Sequence, residues 1–143
     1  VLSRQAIPTV TDGSAVLTGG AVLRAAEAPA VVLVGTGSEV HVCLAAADLL
    51  AADGVAAPVV SLPSWDRFAA QSDDYRSQVF PPGVPVVSVE AAATFGWERF
   101  AAACVGIDRF GVSAPGGQVL DRLGINPAHV ARVATDLLAN RKD

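Results

Sequence analysis

Four short apolar runs constrain the fold of this chain more than any other feature. They are AVVLVG at 30–35, APVVSLP at 57–63, VPVVSVE at 84–90 and ACVGID at 103–108. None alternates apolar with polar residues as a sheet with one wet face would, so all four read as strands covered on both sides. The segments between them have helical spacing. Buried strands alternating with helices are the units of an α/β fold, here a three-layer α/β/α sandwich. GAVLRAAE at 20–27, ahead of Pro29, predicts one further, short edge strand.

Helix signals fall where that architecture needs them. Val40, Cys43, Leu44, Ala47 and Leu50 recur on one helical face. Ser38 can cap this helix, as can Thr36 with Glu39 as a capping box, and Gly54 supplies a left-handed stop. Ser64 is placed to cap a short helix through Trp65 and Phe68. Ser72 is placed to cap another, with Tyr75 and Val79, ended by Pro81 and Pro82. TFGWERF at 94–100 predicts a helical turn or two, and GGQVLDRLG a helix ending at Gly124. Asn126 caps the last helix with Pro127 at its first position, and Val130, Val133, Ala134 and Leu137 form the buried stripe. Residues 5–20 mix Pro, Gly, Ser and Thr and read as a connecting stretch.

Composition removes several function classes. At 143 residues and 52% hydrophobic, 17% charged, the chain can bury a sizeable core and is neither disordered nor membrane-spanning. A net charge of −4, with arginines scattered along the chain, argues against a general nucleic-acid binder. Cys43 and Cys104 lie far apart in apolar surroundings, with only two histidines and no C-x-x-C, so no zinc site is expected and reduced thiols in the cytoplasm are expected. No charged segment followed by an apolar core marks a signal peptide. The chain has no Met and opens on VLSRQ, which reads as the end of a strand, so a piece of a longer polypeptide is expected.

The candidate chemistry is sparse. Gly35 to Glu39 follows a buried strand and opens a helix, the setting of a phosphate cradle. It has no Lys, lacks the third glycine of G-x-G-x-x-G, and places Glu39 where a phosphate would sit, so a structural turn is expected. There is no G-x-S-x-G nucleophile elbow. His41 and His129 read as ordinary helix residues, and Trp65, Phe68 and Tyr75 as core. Glu90 ends an apolar strand on the crevice side of an open sheet, where an interface role and a plain capping role weigh equally. Asp108, Arg109 and Phe110 hold the same position after the fourth strand. A buried Asp–Arg pairing that orders the GVSAP loop is favoured there over catalysis.

In order along the chain, the motifs LSRQ, GTGSEV, VSLPSWDRFAAQSDDYRSQV, VSVEAAATFGWERF, GIDRFGVSAP and LGI resemble the C-terminal domain of transketolase. The resemblance covers essentially the whole chain. EAAATFGW has Ala where the family often has Gly after EA, and APGGQVL has room for an extra residue. The resemblance implies a mixed five-stranded sheet whose first strand, at the edge, is antiparallel to the rest. It also implies that residues 1–20 are the end of a pyrimidine-binding domain and a linker, with the C-terminal domain at 21–143.

The parent enzyme so implied transfers a two-carbon ketol unit between sugar phosphates in the pentose phosphate pathway. It is a cytoplasmic homodimer that uses thiamine diphosphate and a divalent metal, Mg or Ca. The resemblance places cofactor and metal on the other domains, so this piece is expected to scaffold and assist dimer assembly, inactive alone. Arg4, in LSRQ, matches an Arg of the family that binds the substrate phosphate; no catalytic, cofactor or metal-binding residue is expected in the chain. The competing readings are a free-standing module binding a small anion or nucleotide at Gly35 to Glu39, and the same domain of a related thiamine enzyme such as 1-deoxyxylulose-5-phosphate synthase or a dehydrogenase subunit. PSWDRF and GIDRFG favour transketolase.

Overall fold

The computed structural model describes residues 6–141. Its strands are β1 (Ala21–Arg24), β2 (Val32–Gly35), β3 (Val59–Ser61), β4 (Val86–Val89) and β5 (Ala103–Val105). Its helices are α1 (Ala15–Thr18), α2 (Glu39–Ala52), α3 (Trp65–Ala69), α4 (Asp73–Val79), α5 (Gly116–Arg122) and α6 (Pro127–Ala139), with a 3-10 turn at Trp97–Arg99. The sheet order is β1-β3-β2-β4-β5. β1 runs antiparallel to β3, pairing Ala21 with Ser61 and Val22 with Val60, and a bulge follows Val22. The other pairings are parallel, with Leu33 opposite Val59 and Val87, and Ser88 opposite Cys104.

Because successive strand residues point to opposite faces, each apolar run feeds two cores. Leu33, Val59, Val87, Val89 and Val105 meet α2 and α6 through Cys43, Ala46, Ala47, Leu50, Val130 and Ala134. Val32, Val34, Val60 and Val86 meet Phe68, Val79 and Trp97, with Trp65, Tyr75, Phe80 and Phe100 packed around them. The helices therefore cover both faces, giving the predicted three-layer sandwich with an antiparallel edge strand.

Local signals explain most element ends. Ser72 accepts the Tyr75 amide at 3.2 Å, and Asn126 accepts the His129 amide at 2.8 Å ahead of Pro127. Gly54 follows α2 at φ +75°, and the Val55 amide reaches back to the Leu50 carbonyl at 2.8 Å. Ser64 departs from expectation: its side chain makes no cap, and its extended backbone instead offers its carbonyl to the Phe68 amide at 3.0 Å. The stretch at 5–20, read as a connection, contains the one-turn α1, whose Ala15 is buried.

The connections fix where a site can lie. After β2 the chain crosses toward β3, whereas after β4 it moves the other way, toward β5. A crevice opens outside the carboxyl ends of adjacent strands where connections diverge, here between β2 and β4.

Candidate functional site

Thr36, one residue beyond β2, and Glu90, one residue beyond β4, face each other across this divergence point. The Thr36 hydroxyl donates a short hydrogen bond to Glu90 Oε2. This bond replaces the expected capping box, because the hydroxyl that would have capped α2 is committed to the neighbouring strand end. Only the Thr36 carbonyl serves the helix, accepting the Glu39 amide at 3.1 Å. Ser38 does not cap through its side chain either: its backbone is already helical, and its hydroxyl donates to Glu39 Oε1 at 2.7 Å.

The loop packs closely on α2 at Gly35. A Cβ on Gly35 would lie 3.1 Å from Cys43 Sγ, the Glu39 carbonyl carbon and the Val40 amide nitrogen, so Gly35 lets α2 pack tightly on its own strand. Gly37 makes the turn at φ +50°. Glu39 is 6% exposed at the first helical position, where its charge complements the positive end of the helix. Burial pushes the Glu90 carboxyl above the ordinary carboxylate range. The Thr36 hydroxyl opposes this, and the nearby Glu39 charge adds to it. The rim thus carries two carboxyl groups, Glu39 and Glu90.

Glu90 is a cross-strand tie, its carboxylate accepting from Thr36, a partner that neither the interface reading nor the capping reading had named. Asp108 corrects its expectation. It is exposed and bonds not to Arg109 but to Thr94, accepting the backbone amide and the hydroxyl, each at 2.8 Å. Those bonds, the amide first, hold its carboxyl below the ordinary value. Thr94 presents two donors, one to each oxygen of the Asp108 carboxylate. The Thr94–Asp108 tie joins the loops after β4 and β5.

The remaining candidates sit apart from this rim. Trp65, Phe68 and Tyr75 belong to the aromatic core, and the Tyr75 hydroxyl reaches Thr18 Oγ1 and the Gly20 carbonyl. His41 is half-buried on α2. His129 Nδ1 lies 2.5 Å from an Arg132 guanidinium nitrogen on α6. Cys43 and Cys104 are free thiols, the first fully buried. Among the described residues no cluster of three or more His, Cys, Asp or Glu could hold a metal, and no helix is long and apolar enough to cross a membrane. Arg4 lies outside the described residues. Sequence reading missed the Thr36–Glu90 and Thr94–Asp108 ties, whose partners are 54 and 14 residues apart.

Fold and rim together define a three-layer α/β domain with an acidic divergence point and an antiparallel edge strand. The family model for the transketolase-like TK C-terminal domain matches residues 19–126. The chain belongs to this family. A transketolase encoded on a plasmid of Cupriavidus necator is 47% identical over 96% of the chain and 22% of its own length. Transketolase from Pichia stipitis, solved in complex with sedoheptulose-7-phosphate, superposes with a TM-score of 0.93 at 34% identity, covering 97% of this chain and 21% of that one. Transketolase from Leishmania mexicana gives 0.89 at 38% identity, covering 94% and 20%. The chain therefore spans about a fifth of the length of these three relatives.

Proposed function

We propose that this chain serves as the C-terminal domain of a transketolase that transfers a two-carbon ketol unit between sugar phosphates, in the cytoplasm and as part of a homodimer. The observation that carries the reading is the family match across residues 19–126, on a fold that superposes on about a fifth of a solved transketolase chain. Residues 1–20 are read as the end of the preceding domain and a linker. That a similar enzyme was solved with sedoheptulose-7-phosphate supports sugar phosphates as the substrate class.

The described residues do not fit thiamine diphosphate or its divalent metal. A buried Glu39 occupies the helix start that a diphosphate would need, and no group of three or more His, Cys, Asp or Glu is gathered among them. Family resemblance assigns cofactor and metal to the remaining domains, and this domain to support and assembly. The two carboxyl groups at that rim disfavour the alternative of a small-anion module.

Arg4 is the residue assigned to substrate, through its position in LSRQ. A planar guanidinium grips a terminal phosphate dianion with two charge-assisted hydrogen bonds. In the full-length enzyme, assayed for ketol transfer, Arg4→Ala is expected to raise KM for phosphorylated donors about 10- to 100-fold, the loss of roughly 1.5–3 kcal/mol. Unphosphorylated donors should be nearly unaffected. Equal losses for both donor types would assign Arg4 to the fold, and absence of ketol transfer by the unsubstituted enzyme would overturn the function.

A further inference from the structure

The aromatic face of the sheet opens onto a cleft of about 370 Å³ between α4 and the 3-10 turn. Three rings line it, Phe68, Phe80 and Phe100, with centroids 5.4 to 6.1 Å apart. Two arginines line it as well, and they differ in state. Arg76 is already engaged by its own chain. It donates to the Ala69 carbonyl at 2.6 Å and the Gln71 carbonyl at 2.9 Å, and it pairs with Asp73. Arg99 is exposed and makes no ion pair or side-chain hydrogen bond among the described residues. Its guanidinium carbon lies over the Phe100 ring, 5.5 Å from the centroid. A guanidinium laid over a ring is held in orientation while its N–H donors stay free. Single exposed arginines are ordinary on a surface. One stacked on a ring that itself lines a cleft offers charge and apolar surface to the same small molecule.

We propose that this cleft binds a small aromatic carboxylate, its ring packed on Phe80 and Phe100 and its carboxylate taken by the free donors of Arg99. Three features select this chemistry. The volume lies at the low end of the range for small-molecule sites, roughly 300–1,000 Å³, which suits a single-ring ligand. The lining rings favour a flat aromatic partner, stacked or edge to face, over an aliphatic one. The charge balance favours one negative charge and no more. Arg99 is the free cation, whereas Asp73, which also lines the cleft, opposes a second negative charge such as that of a phosphate dianion. A carboxylate meets the planar fork of Arg99 with two parallel charge-assisted bonds. Phe80 and Phe100 precede β4 and β5, at the amino ends of these parallel strands, whereas Thr36 and Glu90 follow carboxyl ends. The cleft is therefore separate from the divergence point, and it neither uses nor requires ketol transfer.

The test uses the full-length polypeptide that bears this sequence, with 4-azidobenzoate as a photoaffinity probe and benzoate as competitor. Cross-linked peptides are mapped by mass spectrometry. Cross-links that benzoate suppresses are expected in the peptides carrying residues 73–80 and 97–101. Arg99→Gln should reduce them about tenfold or more, as the loss of a charge-assisted contact requires. Arg99 is exposed, so this substitution leaves the core untouched. Arg122→Gln, at the exposed end of α5, should leave the cross-links as they are. Absence of benzoate-suppressed cross-links in these peptides overturns the site, and so do cross-links that persist at full yield in Arg99→Gln. Suppression by inorganic phosphate at the concentration at which benzoate acts overturns the aromatic carboxylate in favour of a site for any small anion.

Discussion

The two faces of the sheet are built from different materials. On one face two long helices, α2 with 14 residues and α6 with 13, lie against valines and a leucine. Their contacting side chains are mostly small, so the helices approach closely and bury area through length. On the other face α3 has five residues, α4 seven and the 3-10 turn three. Elements that short cannot cover a sheet with aliphatic side chains, and aromatic rings replace the missing length. Trp65 and Trp97 stack edge to face at 5.0 Å between ring centres, Trp65 and Phe100 at 5.5 Å, and Phe68 and Phe80 at 5.4 Å. One face spreads its stability over many modest contacts; the other concentrates it in a few rings.

Truncating the centre of each face sharpens the contrast. Phe68 is buried against Tyr75, Phe80 and Phe100. Phe68→Ala is expected to cost about 3–5 kcal/mol, and Leu50→Ala, on the helical face, about 2–5. The informative measurement is a pair of double-mutant cycles by chemical denaturation. Phe68→Ala and Phe100→Ala share a contact and should deviate from additivity by about 0.5 kcal/mol or more. Phe68→Ala and Leu50→Ala lie on opposite faces and should add within about 0.5 kcal/mol. Additivity within the aromatic cluster would show that the rings act separately and would remove the distinction.

Each face also holds one thiol. Cys43 is fully buried under α2, where burial, and then the Glu39 charge, push its thiol far above the ordinary value. Cys104 is half-buried on the aromatic side. A thiol-specific reagent should modify Cys104 first. Cys43 should react more than about a hundredfold slower, at the rate of global opening. Equal rates would mean that α2 lifts from the sheet without unfolding it.

The same division governs what could be read in the sequence. The helical face was legible because α2 and α6 are long enough for apolar spacing to name Val40, Cys43, Ala47, Leu50, Val130 and Ala134 as buried, while Leu44, Val133 and Leu137, named with them, are half-buried. Helices of five and seven residues are too short for a period, so the aromatic face could be read only residue by residue, as packing at Trp65, Phe68 and Tyr75. Strand order was not legible from pattern at all; the antiparallel edge came from family resemblance. The rim was the least legible. The Thr36–Glu90 bond exists only because β2 and β4 are neighbours, and nothing local to either residue signals that. A capping box read locally at Thr36 was a reasonable motif, and the tertiary partner took its hydroxyl.

The smallest effect tests the tie between the ends of β2 and β4, the neighbouring strands that both faces share. The folded domain holds the Glu90 proton more tightly than an unfolded chain does, because burial disfavours the carboxylate and the Glu39 charge adds to this, while the Thr36 bond offsets part of it. Linkage then fixes the sign. Where the folded state binds the extra proton, stability falls as pH rises, here from about 4.3, the ordinary glutamate value, upward through the raised one. Glu90→Gln removes the titration and keeps an oxygen that accepts from Thr36. The variant should therefore be slightly more stable than the unsubstituted domain at pH 7 and lose that advantage near pH 4. Half-exposure screens the charge, so the gain should be the smallest of these effects. Melting temperatures across pH 4–8 measure it. A variant less stable than the parent at pH 7 would mean that the charged Thr36–Glu90 bond outweighs the burial of its carboxylate.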